Sequence, residues 1–192
     1  MDREAIISTI ACAFRTVDRD DSYTLHEAQL TDQSMRREIP AKEFTDAKRL
    51  DPHQDWREIP ASSIDECDAA LSHLSPKGWR FYIPAYMTRA VELLDQPVWK
   101  TSLPGSVVFH LTYPKKEVPL QFYKLDRFNL LDEVQVAAVV TFLEYVAAHA
   151  PADAGIREDA QVALKRYWGL PQDQRPNLSL HQTPASRARG RR

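Results

Sequence analysis

The sequence predicts a mainly α-helical domain carrying a short β-hairpin, and three observations lead there. Apolar residues recur at helical spacing through most of residues 1–170, with prolines and capping signatures between the stripes. Residues 99–124 differ, since their apolar runs are short and bounded by prolines in the manner of two strands. After residue 170 the stripe stops, and residues 171–192 hold five arginines, three prolines and only two leucines. The expected fold class is mainly α with minor α+β character: one compact multi-helix domain over 1–170 and a disordered Arg/Pro-rich tail over 171–192.

Ile6, Ile10, Phe14 and Val17 form the stripe of a first amphipathic helix, which Asp18 to Ser22 interrupt. Thr24 with Glu27 makes a capping box for a second helix, carrying Leu25, Ala28 and Met35 inward to about Arg37. Pro40 and Pro52 bracket a short helix around Phe44, Ala47 and Leu50. Arg-Glu-Ile-Pro-Ala occurs at 37–41 and again at 57–61 and reads as a recurring turn that starts helices, not as a solenoid repeat. Ser63 with Glu66 makes another capping box, followed by the stripe Ile64, Cys67, Leu71 and Leu74.

Ser75-Pro76-Lys77-Gly78 has the signature of a type I turn. Trp79, Phe81 and Ile83 then alternate with Arg80 and Tyr82, predicting a brief extended segment, and Pro84 suits the first position of the next helix. Val107, Val108, Phe109 and Leu111 make one predicted strand of the hairpin, and Leu120, Phe122 and Leu125 the other. Asp132 with Gln135 caps a helix that is apolar on nearly every face from Val134 to Val146, the mark of a buried central helix. The last helix presents Ile156, Ala160, Leu164 and Trp168 and stops at Gly169 and Pro171.

Hydrophobic residues at 43% and charged residues at 27% exclude a fibrous or wholly disordered chain. The net charge of -2 argues against a dedicated nucleic-acid binder. It is a sum of unlike parts, because the tail carries +4 and residues 1–170 carry -6. Any nucleic-acid contact is therefore expected to be weak, non-specific and confined to Arg187, Arg189, Arg191 and Arg192. Cys12 and Cys67 each lie on the apolar side of a predicted helix, without a C-x-x-C pair, and read as reduced thiols in a cytoplasm. The N-terminus lacks a cationic leader and the most apolar stretch falls short of a membrane span, so no membrane partner is expected.

The runs 47–51, 55–60 and 70–74 lead into Gly78-Trp79-Arg80-Phe81-Tyr82-Ile83-Pro84-Ala85-Tyr86-Met87. With Phe142-Leu143-Glu144-Tyr145 and Ala163 to Trp168, they resemble a bacterial family of small uncharacterised proteins, a domain-of-unknown-function family. The resemblance covers most of residues 1–168. It implies one compact bacterial domain and brings no catalytic residue, cofactor or fold.

No motif assigns a catalytic residue. Asp65, Glu66 and Asp68 open a helix, where its dipole favours acids. Asp18, Asp20 and Asp21 lack the glycine and glutamate of a calcium loop. The histidines at 26, 53, 73, 110, 149 and 181 show no i, i+4 pairing, so no metal site is expected, and no cofactor motif is present. The binding candidates are Arg80, Tyr82 and Tyr86, with Arg80 facing a carboxylate or phosphate in a groove. Two readings follow. The first is a non-catalytic protein-interaction module, of immunity type, with a protein partner. The second is a small hydrolase or ligand-binding enzyme with histidine and carboxylates gathered in a helical cleft, which requires a concave pocket holding a histidine within ~3 Å of a carboxylate or hydroxyl.

Overall fold

The computed structural model describes residues 1–34, 37–152 and 155–177. Met35, expected on the inner face of the second helix, and residues 178–192 lie outside that set. Among the described residues are nine α-helices and no strand. They run α1 (Arg3–Ala13), α2 (Leu25–Ser34), α3 (Ala41–Arg49), α4 (Ala61–Glu66), α5 (Pro76–Glu92), α6 (Leu103–Leu111), α7 (Val118–Phe128), α8 (Glu133–His149) and α9 (Ile156–Ala163).

Several starts follow their signatures. Asp132 and Gln135 cap each other reciprocally at the head of α8. Pro40 and Pro60, the prolines of the repeated pentapeptide, are the N-cap residues of α3 and α4 with nearly the same backbone, φ -60 with ψ 142 and φ -60 with ψ 140. Ser63 therefore lies inside α4 and does not cap it.

The predicted hairpin is absent, and α6 and α7 stand in its place. The reason is visible in the burial pattern. A strand would put Val107, Phe109 and Leu111 on one face, yet Phe109 is 58% exposed while Leu103, Val107, Val108 and Leu111 are buried. That is helical spacing. Pro104 and Pro119 sit in the first turns of α6 and α7, where a missing amide costs nothing, so they start helices instead of confining a ladder.

The extended segment at 79–83 is likewise helical. Ser75 Oγ accepts from the Gly78 amide at 3.0 Å and Pro76 takes the first turn, so the expected turn is the beginning of α5. The two readings share a signature because both central residues of a type I turn already have helical dihedrals. Pro84 lies inside α5. A Cβ at Gly78 would lie 2.9 Å from Ser22 Oγ, so that hydroxyl would have to shift to admit one.

α5 packs on α1, α6 and α7, and α8 packs on α1 and α9. Their shared core is aromatic: the Phe128 ring lies 6.0 Å from Trp79, 4.9 Å from Tyr167 and 4.5 Å from Trp168. The indole nitrogens of Trp56 and Trp168 donate to the Phe14 and Leu111 carbonyls at 3.0 and 2.6 Å, which carries polar atoms into that core. α8 is less enclosed than its composition implies, with Val134 65% exposed. α9 continues into one π-helical turn, Leu164–Trp168, closed by the Gly169 amide on the Leu164 carbonyl at 2.8 Å. Residues 171–177 return to the domain through a short turn at Gln172–Gln174 and through Arg175. No described helix is long and apolar enough to cross a membrane.

Candidate functional site

The start of α2 is capped in an unexpected way. Glu27 reaches back to the Thr24 amide at 2.9 Å, as a capping box requires, but Thr24 Oγ1 takes no partner. The free amide of His26 is met instead by Asp51, whose Oδ2 accepts it at 2.8 Å. The other carboxylate oxygen, Oδ1, accepts from His26 Nδ1, also at 2.8 Å. One side chain thus grips both the backbone and the ring of the same residue. Asp51 is 4% exposed, and Arg19 fixes its stretch of chain by donating to the carbonyls of Asp51 and His53.

An ionised carboxylate can only accept, so the shared proton belongs to Nδ1, and in the neutral ring it is Nε2 that carries the lone pair. Nε2 has no protein partner among the described residues, and His26 lines a cavity of about 430 Å³ between α2, α3 and α4. Gln29, Leu30 and Gln33 follow His26 at three, four and seven residues, one face of α2, and line the same cavity. Gln29 Oε1 accepts from the Ala69 amide at 3.1 Å, leaving its amide nitrogen free to donate. Glu43 and Asp46 on the rim are held by Arg37 and Arg49. Cys67 closes one wall. Burial pushes its thiol up to about 12, so it stays protonated and is no nucleophile.

A second polar cluster is buried where α6 meets α7. Lys124, 1% exposed, donates to the Phe109 and His110 carbonyls at 2.9 Å each and lies 4.6 Å from the Phe109 ring centre. Arg127 donates to the Tyr123 and Leu74 carbonyls at 2.8 and 2.7 Å and stacks 3.5 Å over the Tyr123 ring. Burial, aided by nearby Arg127, holds Lys124 down to about 7; burial, then Lys124 and Arg127, hold His110 down to about 3. A neutral lysine still has two N–H donors, one for each carbonyl. These side chains close helix ends. Ser72 Oγ is 3.5 Å from His110 Nε2, too long for an activated hydroxyl, and His110 Nδ1 has no partner, so no acid completes a triad.

The sequence-based binding candidates are not brought together. On a helix Tyr82 and Tyr86 share a face while Arg80 falls nearly opposite. Tyr82 and Tyr86 are 2% and 1% exposed, and the Tyr86 hydroxyl donates to the Cys67 carbonyl. Arg80 donates to Gln135 Oε1 at 3.0 Å and lies 3.6 Å from Asp132. Of the other histidines, His73 lies 3.4 Å from Asp32, His149 bonds the Tyr145 carbonyl, and His181 is outside the described residues. Among the described residues no group of three or more His, Cys, Asp or Glu could hold a metal ion. Cys12 is exposed and Cys67 buried, and the two are not bonded. The tail arginines 187, 189, 191 and 192 lie outside the described residues.

What sequence reading missed was the polar face of α2. His26, Gln29 and Gln33 are visible as a stripe once the apolar face is set aside. Asp51 is not, because no local pattern announces a capping partner from another segment.

Residues 2–171 match a family model described as "Family of unknown function (DUF6714)". No curated protein and no solved structure matches the chain.

Proposed function

The chain belongs to this family of unknown function, and we propose that it is a small hydrolase in which His26, oriented by Asp51, acts as general base. One observation carries the reading: a histidine 2.8 Å from a buried carboxylate, with its second nitrogen unspent at a cavity of about 430 Å³. The cavity suits a small acyl ester or amide. His26 Nε2 takes a proton from water while the water oxygen bonds to the acyl carbon. The free amide nitrogen of Gln29 donates to the oxygen that becomes negative. Collapse breaks the bond to the leaving group, which receives the proton from the imidazolium, and Asp51 stays ionised throughout to stabilise that cation. Two unpaired cysteines and the absence of a membrane-spanning helix among the described residues support a place in the bacterial cytoplasm.

Hydrolysis of p-nitrophenyl acetate by the full chain and by His26→Gln tests the proposal. The expected result is turnover above the buffer rate that drops at least about 100-fold in the variant, the usual worth of a general base. Equal rates for the two proteins would overturn it.

A further inference from the structure

A cavity larger than the one that holds His26 lies elsewhere on the domain. A groove of about 680 Å³ lies between the end of α7, the outer face of α8 and the chain that follows α9. Its floor is apolar, formed by the buried Phe128, Leu131 and Tyr167, and its wall is Val136 and Val140, the part of α8 that no other helix covers fully. The volume falls within the range of small-molecule sites, about 300–1,000 Å³.

Charge gives the groove a direction. Arg175, half-buried, lines it beside Tyr167, with its guanidinium 5.9 Å from that ring centre. Arg175 Nε donates to the Leu170 carbonyl at 3.0 Å and one terminal nitrogen donates to the Trp168 carbonyl at 3.1 Å. Both acceptors are neutral, and among the described residues no carboxylate pairs with Arg175. Arg37, Arg57 and Arg89 each bond a carboxylate directly. Arg175 is therefore a cation held in place whose charge the domain leaves unmatched, with N–H donors remaining. Glu133, on the first turn of α8, lines the groove as well and repels an anion from its own end.

We propose that this groove binds a small amphipathic anion, an aromatic or branched aliphatic body carrying a carboxylate or sulfonate. The apolar body lies on Phe128, Leu131 and Val140, and the acid group meets Arg175 and points away from Glu133. The site is separate from the His26 cavity and does not depend on its chemistry.

Anilinonaphthalene sulfonate, an aromatic body with one anionic group, is the probe. Titrated into the full-length native protein it gives a saturable, single-site rise in fluorescence. Arg175→Gln weakens binding about tenfold, equivalent to about 1.4 kcal/mol, the scale of one charge-assisted contact. Val140→Glu weakens it further while leaving near-ultraviolet circular dichroism unchanged, which keeps the test valid if Arg175→Gln disturbs the end of the chain. His26→Gln leaves the affinity as it was. No saturable signal, or unchanged affinity in Val140→Glu, overturns the proposal. So does a protein that elutes as a dimer and binds the probe only on dissociation, since the groove is then covered by a second copy.

Discussion

Two buried polar clusters solve the same problem with opposite chemistry. At the start of α2 the unpaired amide of His26 needs an acceptor, and Asp51 supplies one; at the end of α6 the carbonyl of His110 needs a donor, and Lys124 supplies it while also bonding the Phe109 carbonyl, which the Thr112 amide already meets at 3.1 Å. The difference lies in what is left over. Asp51 spends its second oxygen on the ring of His26, which lines a cavity and whose Nε2 has no partner among the described residues. Lys124 spends its donors on carbonyls in a closed core. Burial and a shifted pKa are found in the second cluster, yet chemistry needs unspent valence within reach of a ligand, and the first cluster has it.

The largest expected effect of breaking this contrast is on stability. Lys124→Ala removes a fully buried side chain and strands the His110 carbonyl, and it should cost about 2–5 kcal/mol in urea unfolding. His26→Gln, which takes the ring away from the Asp51 carboxylate but leaves its bond to the backbone amide, should cost about 1 kcal/mol. Equal losses would mean that both clusters are purely structural.

A gentler probe is pH. Lys124 and His110 are bases held below their ordinary values, at about 7 against 10.5 and about 3 against 6.5. Within each window the unfolded chain binds a proton that the folded chain refuses, so stability falls as pH falls. Urea midpoints should therefore drop between pH 10.5 and 7 through Lys124 and again between 6.5 and 3 through His110. Each group contributes a slope of at most about 1.4 kcal/mol per pH unit. His110→Gln should flatten the lower window alone, and an unchanged profile would contradict the burial of that ring.

Three helix starts, those of α3, α4 and α8, were legible in the chain, because their signatures are local. Asp132 with Gln135 and the two Ile-Pro-Ala turns are read correctly from four or five residues. The stretch from Trp99 to Lys124 misled because prolines in the first turn of a helix and at the edge of a hairpin look alike in a short apolar run. Burial of Val107 together with Val108, and exposure of Phe109, decides between them, and neither is a sequence property. The same holds for the candidate site. His26, Gln29 and Gln33 share a face of α2 that the 3.6-residue period reveals. Their partner Asp51 arrives through the tertiary fold, guided by the Arg19 bonds to the carbonyls of Asp51 and His53. Arg80, Tyr82 and Tyr86 illustrate the converse. A period of two groups Arg80 with Tyr82, whereas the helix they form sends them apart and buries both tyrosines.

That Asp51 holds the His26 ring with Nδ1 protonated and Nε2 bare is tested most directly by a long-range proton–nitrogen correlation spectrum of the histidine rings, with His26→Gln identifying the signal. The expected result is a neutral ring whose proton resides on Nδ1 and whose assignment to that tautomer weakens in Asp51→Asn. A His26 ring protonated on Nε2, or one indifferent to Asp51→Asn, would contradict the general-base site.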